Sequence, residues 1–274
     1  MIQFGTMFSD AKPIITLTTD FGLEDPYVGV MKGVILNIAP EAKIVDITHL
    51  IQSYDIVEAA LVLRSSYSFF PPGTIHVVVV DPGVGSSRRP ILLITEKYLF
   101  VAPDNGVLWP VHTLARQPEA FHLTATEYFL KPVSTTFHGR DIFSPVAAWL
   151  SKGIDPMRLG KRISNLQELK LQPVRKIDEK QMIGTVLRTD KFGNLITNVS
   201  RQDLSLPGDR APFVIRFAGR TITQLRSSYT EASPGELFAI WGSLALLEIS
   251  ANQASAADIL QANTDQEFVV ELHS

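Results

Sequence analysis

Residues 75–85 read IHVVVVDPGVG, and this stretch decides the fold class of the first half of the chain. Ile75–Val80 is a nearly continuous apolar run rich in β-branched residues, which is typical of a strand buried on both faces of a parallel sheet. The following Asp81-Pro82-Gly83 ends the strand in a turn. Because parallel neighbours need a crossover connection, helices are expected before this strand along the chain.

Two strand–helix pairs precede it. Ile14–Thr19 is a β-branched run, and apolar residues then recur every three or four positions over residues 28–38, with Asp25 as the expected helix N-cap. Lys43–Ile47 is the next expected strand and Asp55–Phe70 the next helix. This alternation predicts an α/β fold with a mainly parallel sheet flanked by helices.

The alternation stops at about residue 165. Residues 166–181 are mostly polar or charged, which is typical of a linker. Beyond them, short β-rich segments alternate with turn residues, a pattern typical of a small barrel or sandwich. We therefore expect an N-terminal α/β domain over residues 1–165, a linker over 166–181 and a smaller C-terminal all-β, barrel-like domain over 182–274.

The composition favours a folded protein that acts on a small molecule. Of the 274 residues, 45% are hydrophobic and 19% charged, which excludes global disorder; the net charge of -3 offers no field that attracts nucleic acid or an anionic membrane. Without cysteine there is no disulfide, thiolate metal site or cysteine nucleophile. Residues 1–12 carry no secretory pattern and no apolar run could span a bilayer, so we expect a cytoplasmic protein.

Two carboxylates stand where strands of the predicted sheet end. Asp20 follows the first strand and Asp81 the third, and the carboxyl ends of parallel strands meet at the edge where α/β proteins bind ligands. Each is equally well explained as a turn residue. Together with Asp104 they leave a magnesium site open, although no pair of histidines has metal-ligand spacing.

Other residues are ambiguous on their own. His138 lies in a loop just before a predicted helix over residues 141–152, and residues 190–194, DKFGN, fit a plain hairpin turn as well as a ligand loop. The candidate basic residues are Arg88, Arg89, Arg140 and Arg188. A dinucleotide fingerprint, a Walker A loop and a serine-hydrolase elbow are all missing. Residue types and spacing alone therefore indicate an acidic crevice but no reaction.

Five short motifs in a fixed order carry a resemblance to a known family. They are Thr19-Asp20-Phe21-Gly22 with Asp25, Val80 to Gly85, Pro103-Asp104-Asn105-Gly106, Phe137 to Asp141, and Asp190 to Asn194. In this order they resemble the S-adenosylmethionine hydroxide adenosyltransferases, relatives of the fluorinases and chlorinases, over nearly the whole chain. That family's N-terminal α/β domain and C-terminal β-barrel agree with the organisation expected above.

The resemblance implies hydrolysis of S-adenosyl-L-methionine (SAM) to adenosine and L-methionine, with water or hydroxide attacking ribose C5′. The family's catalytic Asp/Arg/His triad maps onto Asp81, Arg88 and His138. Because the sulfonium is a cation and the leaving thioether is neutral, a desolvated pocket favours an anionic nucleophile. We expect Asp81 to orient and partly deprotonate the water, Arg88 to fix Asp81, and His138 to hold or relay the proton.

The resemblance also implies roles in holding the adenosine half of the substrate. Asp20 matches the carboxylate that accepts both ribose hydroxyls, a geometry that the two carboxylate oxygens suit. Phe192 would stack near the adenine or the sulfonium, and Asn194 would form a hydrogen bond with the adenine edge.

For the methionine half, the resemblance implies that Asp25 and Asp190 hold the ammonium and that Ser243 contacts the carboxylate. The family usually continues after this serine with Ser or Arg and then Gly, whereas this chain has Leu244-Ala245. The contact to the carboxylate is therefore the part of the site in which the chain departs from its relatives.

The family's assembly and requirements complete these expectations. The resemblance implies a homotrimer whose active sites lie between subunits, which explains why Asp20 and Asn194 fall in different predicted domains. SAM is the substrate, and neither a further cofactor nor a metal ion is expected. A nucleic acid or membrane partner is not expected either.

Three other functions compete with hydrolysis. A SAM-dependent halogenase uses the same carbon, but fluorinases carry Tyr at the position of Asp81 and Tyr-Ser at the positions of His138-Gly139, and a carboxylate next to a halide is repulsive. A non-catalytic SAM or adenosine binding module would not need the triad. A magnesium-dependent phosphoesterase built on the aspartates would lose its activity to a chelator.

Overall fold

The computed structural model describes residues 13–204 and 213–272 of the chain. The chain forms two compact units, residues 1–170 and 171–274. The division falls within the segment 166–181, and the limits of the predicted domains stay a prediction. The expectation about residues 1–12 lies outside the described residues.

The first unit is a layered α/β structure. Its described helices and strands are β1 (Ile14–Thr19), α1 (Tyr27–Ile38), β2 (Lys43–Thr48), α2 (Ile56–Ser66), β3 (Ile75–Val79), β4 (Pro90–Ile94), β5 (Leu99–Pro103), α3 (Trp109–Leu114), β6 (Glu119–Leu123), α4 (Ser144–Ser151) and β7 (Gly160–Ile163). The strands form one sheet in the order β2-β1-β3-β5-β4-β6-β7. The prediction of an N-terminal α/β fold is confirmed.

The sheet is parallel in one half and antiparallel in the other. β1 pairs in parallel with β2 and β3, and β3 with β5, whereas β4 is antiparallel to β5 and β6, and β6 to β7. The short connection Glu96-Lys97 cannot cross over the sheet, so β4 and β5 pair antiparallel. Parallel pairing is therefore confined to the half that holds Asp20 and Asp81 at the ends of adjacent strands.

Strand β3 is buried on both faces, as its sequence predicts. Val77 and Val79 pack in the core formed with α1 and α4, while Val78 and Val80 pack in the core that includes α2 and α3. Alternate side chains of one strand thus point to opposite faces of the sheet. A strand held from both sides is a rigid base for the loop that follows it.

Among its described residues, the second unit is all-β apart from one short α-helix and one 3-10 turn, Tyr229–Glu231. Its strands and helix are β8 (Arg175–Lys176), β9 (Gln181–Thr189), β10 (Leu195–Ser200), β11 (Phe213–Phe217), β12 (Arg220–Ile222), β13 (Leu237–Trp241), β14 (Leu246–Ala251), α5 (Ala256–Leu260) and β15 (Glu267–Leu272). The main order is β12-β11-β15-β9-β10-β14-β13, and all of these pairs are antiparallel. The segment after β12 bonds to β13 through Leu225 and Ala239, which nearly closes the barrel. The predicted barrel-like domain is confirmed.

Candidate active site

The loop after β3 folds back so that Arg88 forms a bidentate ion pair with Asp81. Arg88 Nε donates to Asp81 Oδ1 at 3.0 Å, and Arg88 Nη2 donates to Asp81 Oδ2. Successive turns bring the two residues together, with Val84 N donating to Asp81 O. Gly85 is required in this loop: its φ is +77°, and a Cβ there would lie 2.3 Å from Thr135 O. Both side chains are largely buried, so this ion pair is shielded from solvent.

The same guanidinium reaches His138. Arg88 Nη2 lies 2.5 Å from His138 Nδ1, and because arginine can only donate, Nδ1 is the acceptor. His138 precedes a π-helical turn, Gly139–Phe143, a backbone form that is common at functional sites. Burial, and then the charge of Arg88, lower the pKa of His138 below its usual 6.5, against the opposing charges of Asp81 and Asp141. A neutral imidazole is therefore favoured.

A cavity of about 380 Å³ lies at this edge of the sheet. Asp81, His138, Asp20 and Asp25 all line it, so the structure brings together four of the residues that the sequence analysis selected in the first unit. Helix α1 begins at Tyr27 and Asp25 is not its N-cap, so that expectation is wrong. Asp25 is consequently available to face the cavity.

The carboxylate of Asp20 is held by a residue that the sequence analysis did not select. The Tyr54 backbone N–H donates to Asp20 Oδ2 at 2.8 Å. Tyr54 has a φ of +69°, which is unusual for a residue with a side chain, and the residue is 71% exposed beside the cavity. No sequence signal marks this residue, since its conformation is set by the loop between β2 and α2.

Three aromatic rings form one wall of this cavity, and the sequence analysis assigned none of them a role in the site. The ring centroids of Tyr27 and Phe137 are 5.2 Å apart, and Phe21 lies 5.7 Å from Tyr27 and 5.9 Å from Phe137. All three line the cavity. Aromatic rings give the cavity an apolar lining and can attract cations, which suits a sulfonium; the Phe137 ring already has the Arg140 guanidinium over it at 5.2 Å.

In the second unit, residues 190–194 form a turn organised by Asp190. Asp190 Oδ1 accepts from the backbone N–H groups of Phe192 and Asn194 at 2.8 and 2.9 Å, and Oδ2 accepts from Asn194 Nδ2 at 2.9 Å. Asn194 is buried, whereas Phe192 is 76% exposed. The hairpin interpretation and the ligand-loop interpretation are thus compatible, because the turn presents an aromatic ring and an amide side by side.

This turn lines a second cavity, of about 700 Å³, with Tyr229 and residues 251–255. Tyr229 packs edge-on against Phe238 at 5.7 Å and was not selected from the sequence. Burial, and then the charge of Asp190, raise the pKa of Glu248, whereas the charge of Arg188 lowers it. Glu248 and Arg188 lie on the same face of the sheet, because both are paired with Ile196, one on each neighbouring strand.

Ser243 is not brought into this cavity. It lies in the turn between β13 and β14, at the opposite end of β14 from residues 251–255. Within the second unit, the proposed ammonium and adenine ligands therefore lie together, whereas the proposed carboxylate ligand stands apart from them.

Other charged residues considered in the sequence analysis form ion pairs of their own. Arg89 pairs with Asp104, which also accepts from Gln167 N at 2.8 Å, so Asp104 is engaged away from Asp81. Arg140 pairs with its neighbour Asp141. Across residues 13–204 and 213–272, no group of three or more histidine, aspartate or glutamate side chains could hold a metal ion. Over the same residues, no helix is long and apolar enough to cross a membrane.

Comparisons with known proteins decide the family. Residues 15–160 match the family described as the SAM hydroxide adenosyltransferase N-terminal domain, and residues 184–269 match the corresponding C-terminal domain. The chain belongs to the SAM hydroxide adenosyltransferase family. Both halves of the chain are covered, in the order that the sequence motifs indicate.

Relatives of this family match over most of their length. The chain is 35% identical over 250 residues to an (R)-S-adenosyl-L-methionine hydrolase of Salinispora arenicola, covering 90% of this chain and 94% of the relative. It is 27% identical over 285 residues to a fluorinase of Nocardia brasiliensis, covering 92% and 94%. A solved structure of an uncharacterized conserved protein from Thermotoga maritima has a TM-score of 0.84 and 36% identity, covering 93% of this chain and 99% of that one.

Proposed function

We propose that this enzyme hydrolyses SAM to adenosine and L-methionine. The observation that carries the proposal is the Asp81–Arg88–His138 cluster at the edge of a cavity that also holds Asp20. In the reaction, a bond forms between a water oxygen and C5′, and the C5′–S bond breaks with its electron pair going to sulfur. The products are a neutral thioether and an alcohol, and one proton is released.

Asp81 is the base in this proposal. Arg88 occupies one side of both carboxylate oxygens, and each oxygen keeps a further lone-pair direction for a water. The positive guanidinium also stabilises negative charge as the water acquires hydroxide character. An attacking water held by Asp81 would thus be both oriented and activated.

His138 has a donor role in the proposal. Its Nδ1 accepts from Arg88, so the neutral ring carries its proton on Nε2 and can donate a hydrogen bond from that atom. It thereby fixes Arg88 and offers a donor to the water or to the ribose oxygens. This refines the expectation from the sequence: His138 holds a proton and Asp81 receives one.

The binding residues divide between the two units. We assign the ribose hydroxyls to Asp20 and the methionine ammonium to Asp25 and Asp190. Phe192 stacks on the adenine or the sulfonium, and Asn194 bonds the adenine edge. Ser243 remains the proposed ligand of the methionine carboxylate on family resemblance alone, since its position in the hairpin turn adds no support.

We further propose a homotrimer in which the first unit of one subunit and the second unit of a neighbouring subunit complete each active site. Asp81, His138 and the ribose carboxylate Asp20 line one cavity and the adenine ligands line another, so neither cavity alone offers a full SAM site. Tyr54 and Phe192 are 71% and 76% exposed at these two cavities, and the proposed trimer would cover them. No cofactor is proposed besides the substrate. Location in the cytoplasm stays a prediction.

The names of the relatives refine the substrate. Several are (R)-S-adenosyl-L-methionine hydrolases, from organisms as different as Thermus thermophilus and Methanocaldococcus jannaschii. We propose that this chain also prefers the (R) configuration at the sulfonium. The two epimers differ only in which way the methyl and the methionine chain leave the sulfur, so the cavity walls must discriminate between them.

The test is a product analysis on purified enzyme. Each sulfonium epimer is incubated with EDTA, with and without chloride and fluoride, and adenosine, methionine and 5′-halo-adenosine are separated by chromatography. Equal amounts of adenosine and methionine, formed faster from the (R) epimer and insensitive to EDTA and halide, are expected. A 5′-halo-adenosine product would instead indicate a halogenase, and tight binding without product a binding module. Loss of turnover in EDTA would indicate metal-dependent chemistry.

A further inference from the structure

Beside the proposed catalytic cluster lies a second polar network, which the mechanism above does not use. It joins strand β1 to the loop after β2 through the buried side chain of His49, whose ring is 2% exposed. His49 Nδ1 lies 2.9 Å from Thr19 Oγ1, and His49 Nε2 lies 3.1 Å from Asp46 Oδ1. Asp46 in turn pairs with Lys32 at 2.6 Å.

The donors and acceptors of this network fit one arrangement. His49 Nε2 lies within ion-pair distance of Asp46, a carboxylate that only accepts, so this contact favours the tautomer with its proton on Nε2. Nδ1 then accepts from the Thr19 hydroxyl, whose oxygen accepts from Phe21 N at 3.2 Å. Although burial opposes it, the hydrogen bonds from Lys32 and His49 hold the pKa of Asp46 below its usual value, which keeps the network's anchor ionised.

His49 also holds the far end of the same loop. Gly22 N donates to the backbone oxygen of His49 at 2.8 Å, and Gly22 has a φ of +68°. The segment Thr19–Gly22 is therefore bonded to a single residue at both of its ends, through the side chain at one and the backbone at the other. Asp20 stands inside this segment, one residue after the strand.

We propose that His49 is a positioning residue that fixes the Asp20 carboxylate for the ribose hydroxyls. This inference rests on the proposed function, because Asp20 acts on ribose only if the ligand is a nucleoside. Tyr54 N restrains Oδ2 of Asp20 from one side, and the His49 network restrains its backbone from the other. The carboxylate is then pre-organised, and ligand binding does not have to order it.

The chain offers a matched control for this network. On the same strand, Thr16 Oγ1 lies 2.8 Å from Nδ1 of buried His76, so a second threonine–histidine pair exists with the same chemistry. Thr16 lies three residues before Thr19 and makes no contact with the Asp20 loop among the hydrogen bonds of the described residues. Thr16→Val and Thr19→Val therefore remove equivalent hydrogen bonds, but only the second loosens the loop.

The experiment measures binding of adenosine and of 2′,3′-dideoxyadenosine by calorimetry. Thr19→Val is expected to weaken adenosine binding about five- to ten-fold, the effect of one or two lost hydrogen bonds. Binding of dideoxyadenosine, which has no ribose hydroxyls to bind Asp20, is expected to be unchanged by the substitution. Thr16→Val is expected to change neither affinity. In His49→Asn, the asparagine can still form a hydrogen bond with Thr19, so its affinity for adenosine is expected to lie between those of wild type and Thr19→Val.

The outcomes separate this inference from the proposed function. If wild-type enzyme neither binds adenosine nor cleaves SAM, the proposed function fails. If wild type binds adenosine, and both Thr19→Val and His49→Asn bind it with wild-type affinity, the positioning role of His49 is overturned. Equal weakening by Thr16→Val, or equal weakening toward dideoxyadenosine, overturns it as well, because either result indicates general softening of the domain.

Discussion

Arg88 Nη2 lies 2.5 Å from His138 Nδ1, so one guanidinium contacts both the acid and the histidine of the candidate site. The contact fixes the tautomer of His138, because the nitrogen that faces an arginine cannot carry a proton. It also makes the protonation of His138 depend on Arg88. A pH response of the histidine is therefore a direct report on this geometry.

Replacing Arg88 by Gln should raise the pKa of His138. In the wild type, burial and then the charge of Arg88 hold that pKa below 6.5. The substitution removes the positive charge and leaves Asp81, which favours the imidazolium, without its partner. NMR titration of histidine-labelled protein, with His138 assigned through a His138→Ala variant, measures the shift.

The sign of the pH effect on activity follows. A histidine with a lowered pKa stays neutral from its own pKa upward, so wild-type kcat/KM should be level through pH 7 and fall only as the pH drops below 6.5. A His138 pKa that stays constant or falls in Arg88→Gln would show that the two side chains are not in contact.

Replacing Asp81 by Asn should reduce kcat by about a hundred-fold or more, the usual contribution of a general base. The amide keeps the shape of the side chain but cannot accept the proton of the attacking water. Adenosine binding should change far less, since Asp81 is assigned to the water and Asp20 to the ribose. Single-turnover kinetics and calorimetry on the same preparation separate these two effects.

Asp104→Asn is the matched control. Asp104 also ends a strand and pairs with an adjacent arginine, Arg89, but it bonds to Gln167 N and does not line the cavity. Its substitution is expected to lower the melting temperature and to leave kcat within a factor of a few of wild type. Equal losses of kcat in both variants would argue that Asp81 acts only on stability.

Most of the fold and part of the site could be predicted from sequence. The alternation around Ile75–Val80 specifies the sheet because strand and helix periodicities are local properties. Asp20 and Asp81 are brought together by the parallel pairing of β1 and β3, which the same pattern predicts. Arg88 could be placed beside Asp81 only through family resemblance, since their ion pair depends on successive turns, and turn geometry has no periodic signature in the sequence.

The missed residues share a physical cause. Tyr54 contributes a backbone N–H rather than a side chain, and residue type does not reveal that role. Tyr229 lies in a connection about 35 residues after Asn194 in the sequence and lines the same cavity through the barrel topology. His49 acts on the site through Thr19 from inside the core. From sequence alone, a buried histidine that positions a site residue cannot be distinguished from one that only contributes to stability.

Asn194 should make the enzyme prefer adenosine over inosine. One Nδ2 hydrogen of Asn194 bonds to Asp190 Oδ2 and orients the amide, and we assign the carbonyl oxygen, which only accepts, to the base. The exocyclic amino group of adenine is a donor and satisfies it, whereas the carbonyl oxygen of inosine would be repelled. Calorimetry should show inosine binding about ten-fold more weakly or worse.

The preference for adenosine over inosine should depend on the side-chain amide of Asn194. In Asn194→Ala, affinity for adenosine is expected to fall until the two nucleosides bind about equally. If wild type bound inosine as tightly as adenosine, Asn194 would not contact the base edge in the proposed way.

Inactive variants of the two units should restore activity to each other if the sites lie between subunits. Asp81→Asn disables the first unit, and the double substitution Asp190→Ala with Asn194→Ala, which removes the proposed ammonium and adenine ligands together, disables the second. In randomly mixed trimers, about a quarter of the sites would pair two intact halves. Co-expression, or mixing after reversible dissociation, followed by a SAM cleavage assay should therefore recover about a quarter of wild-type activity.

The same mixture has no intact site if each site is built within one subunit. Activity at the level of the separate variants would then exclude the shared arrangement. Light scattering on the wild type is the companion measurement, and a monomeric mass would contradict the trimer directly.

His76 should make the protein less stable in acid. It lies in an aromatic cluster, stacked on Phe100 at 5.1 Å with Tyr67, Phe70 and Tyr98 around it, and burial lowers its pKa to about 3. The unfolded chain binds a proton at this residue below pH 6.5, whereas the folded chain does not. His76 therefore contributes a fall in the free energy of unfolding that approaches about 1.4 kcal/mol per pH unit below 6.5 and ends as the folded ring titrates near pH 3.

Urea unfolding of wild type and His76→Phe between pH 7 and 4 isolates this contribution. Phenylalanine fits an aromatic surrounding and cannot titrate, although it leaves Thr16 without its partner, which lowers stability by a constant amount. The free energy of unfolding of the variant should fall less steeply with decreasing pH than that of wild type, by close to one proton. Parallel curves would show that the folded and unfolded chains protonate His76 alike, and its neutral burial would be wrong.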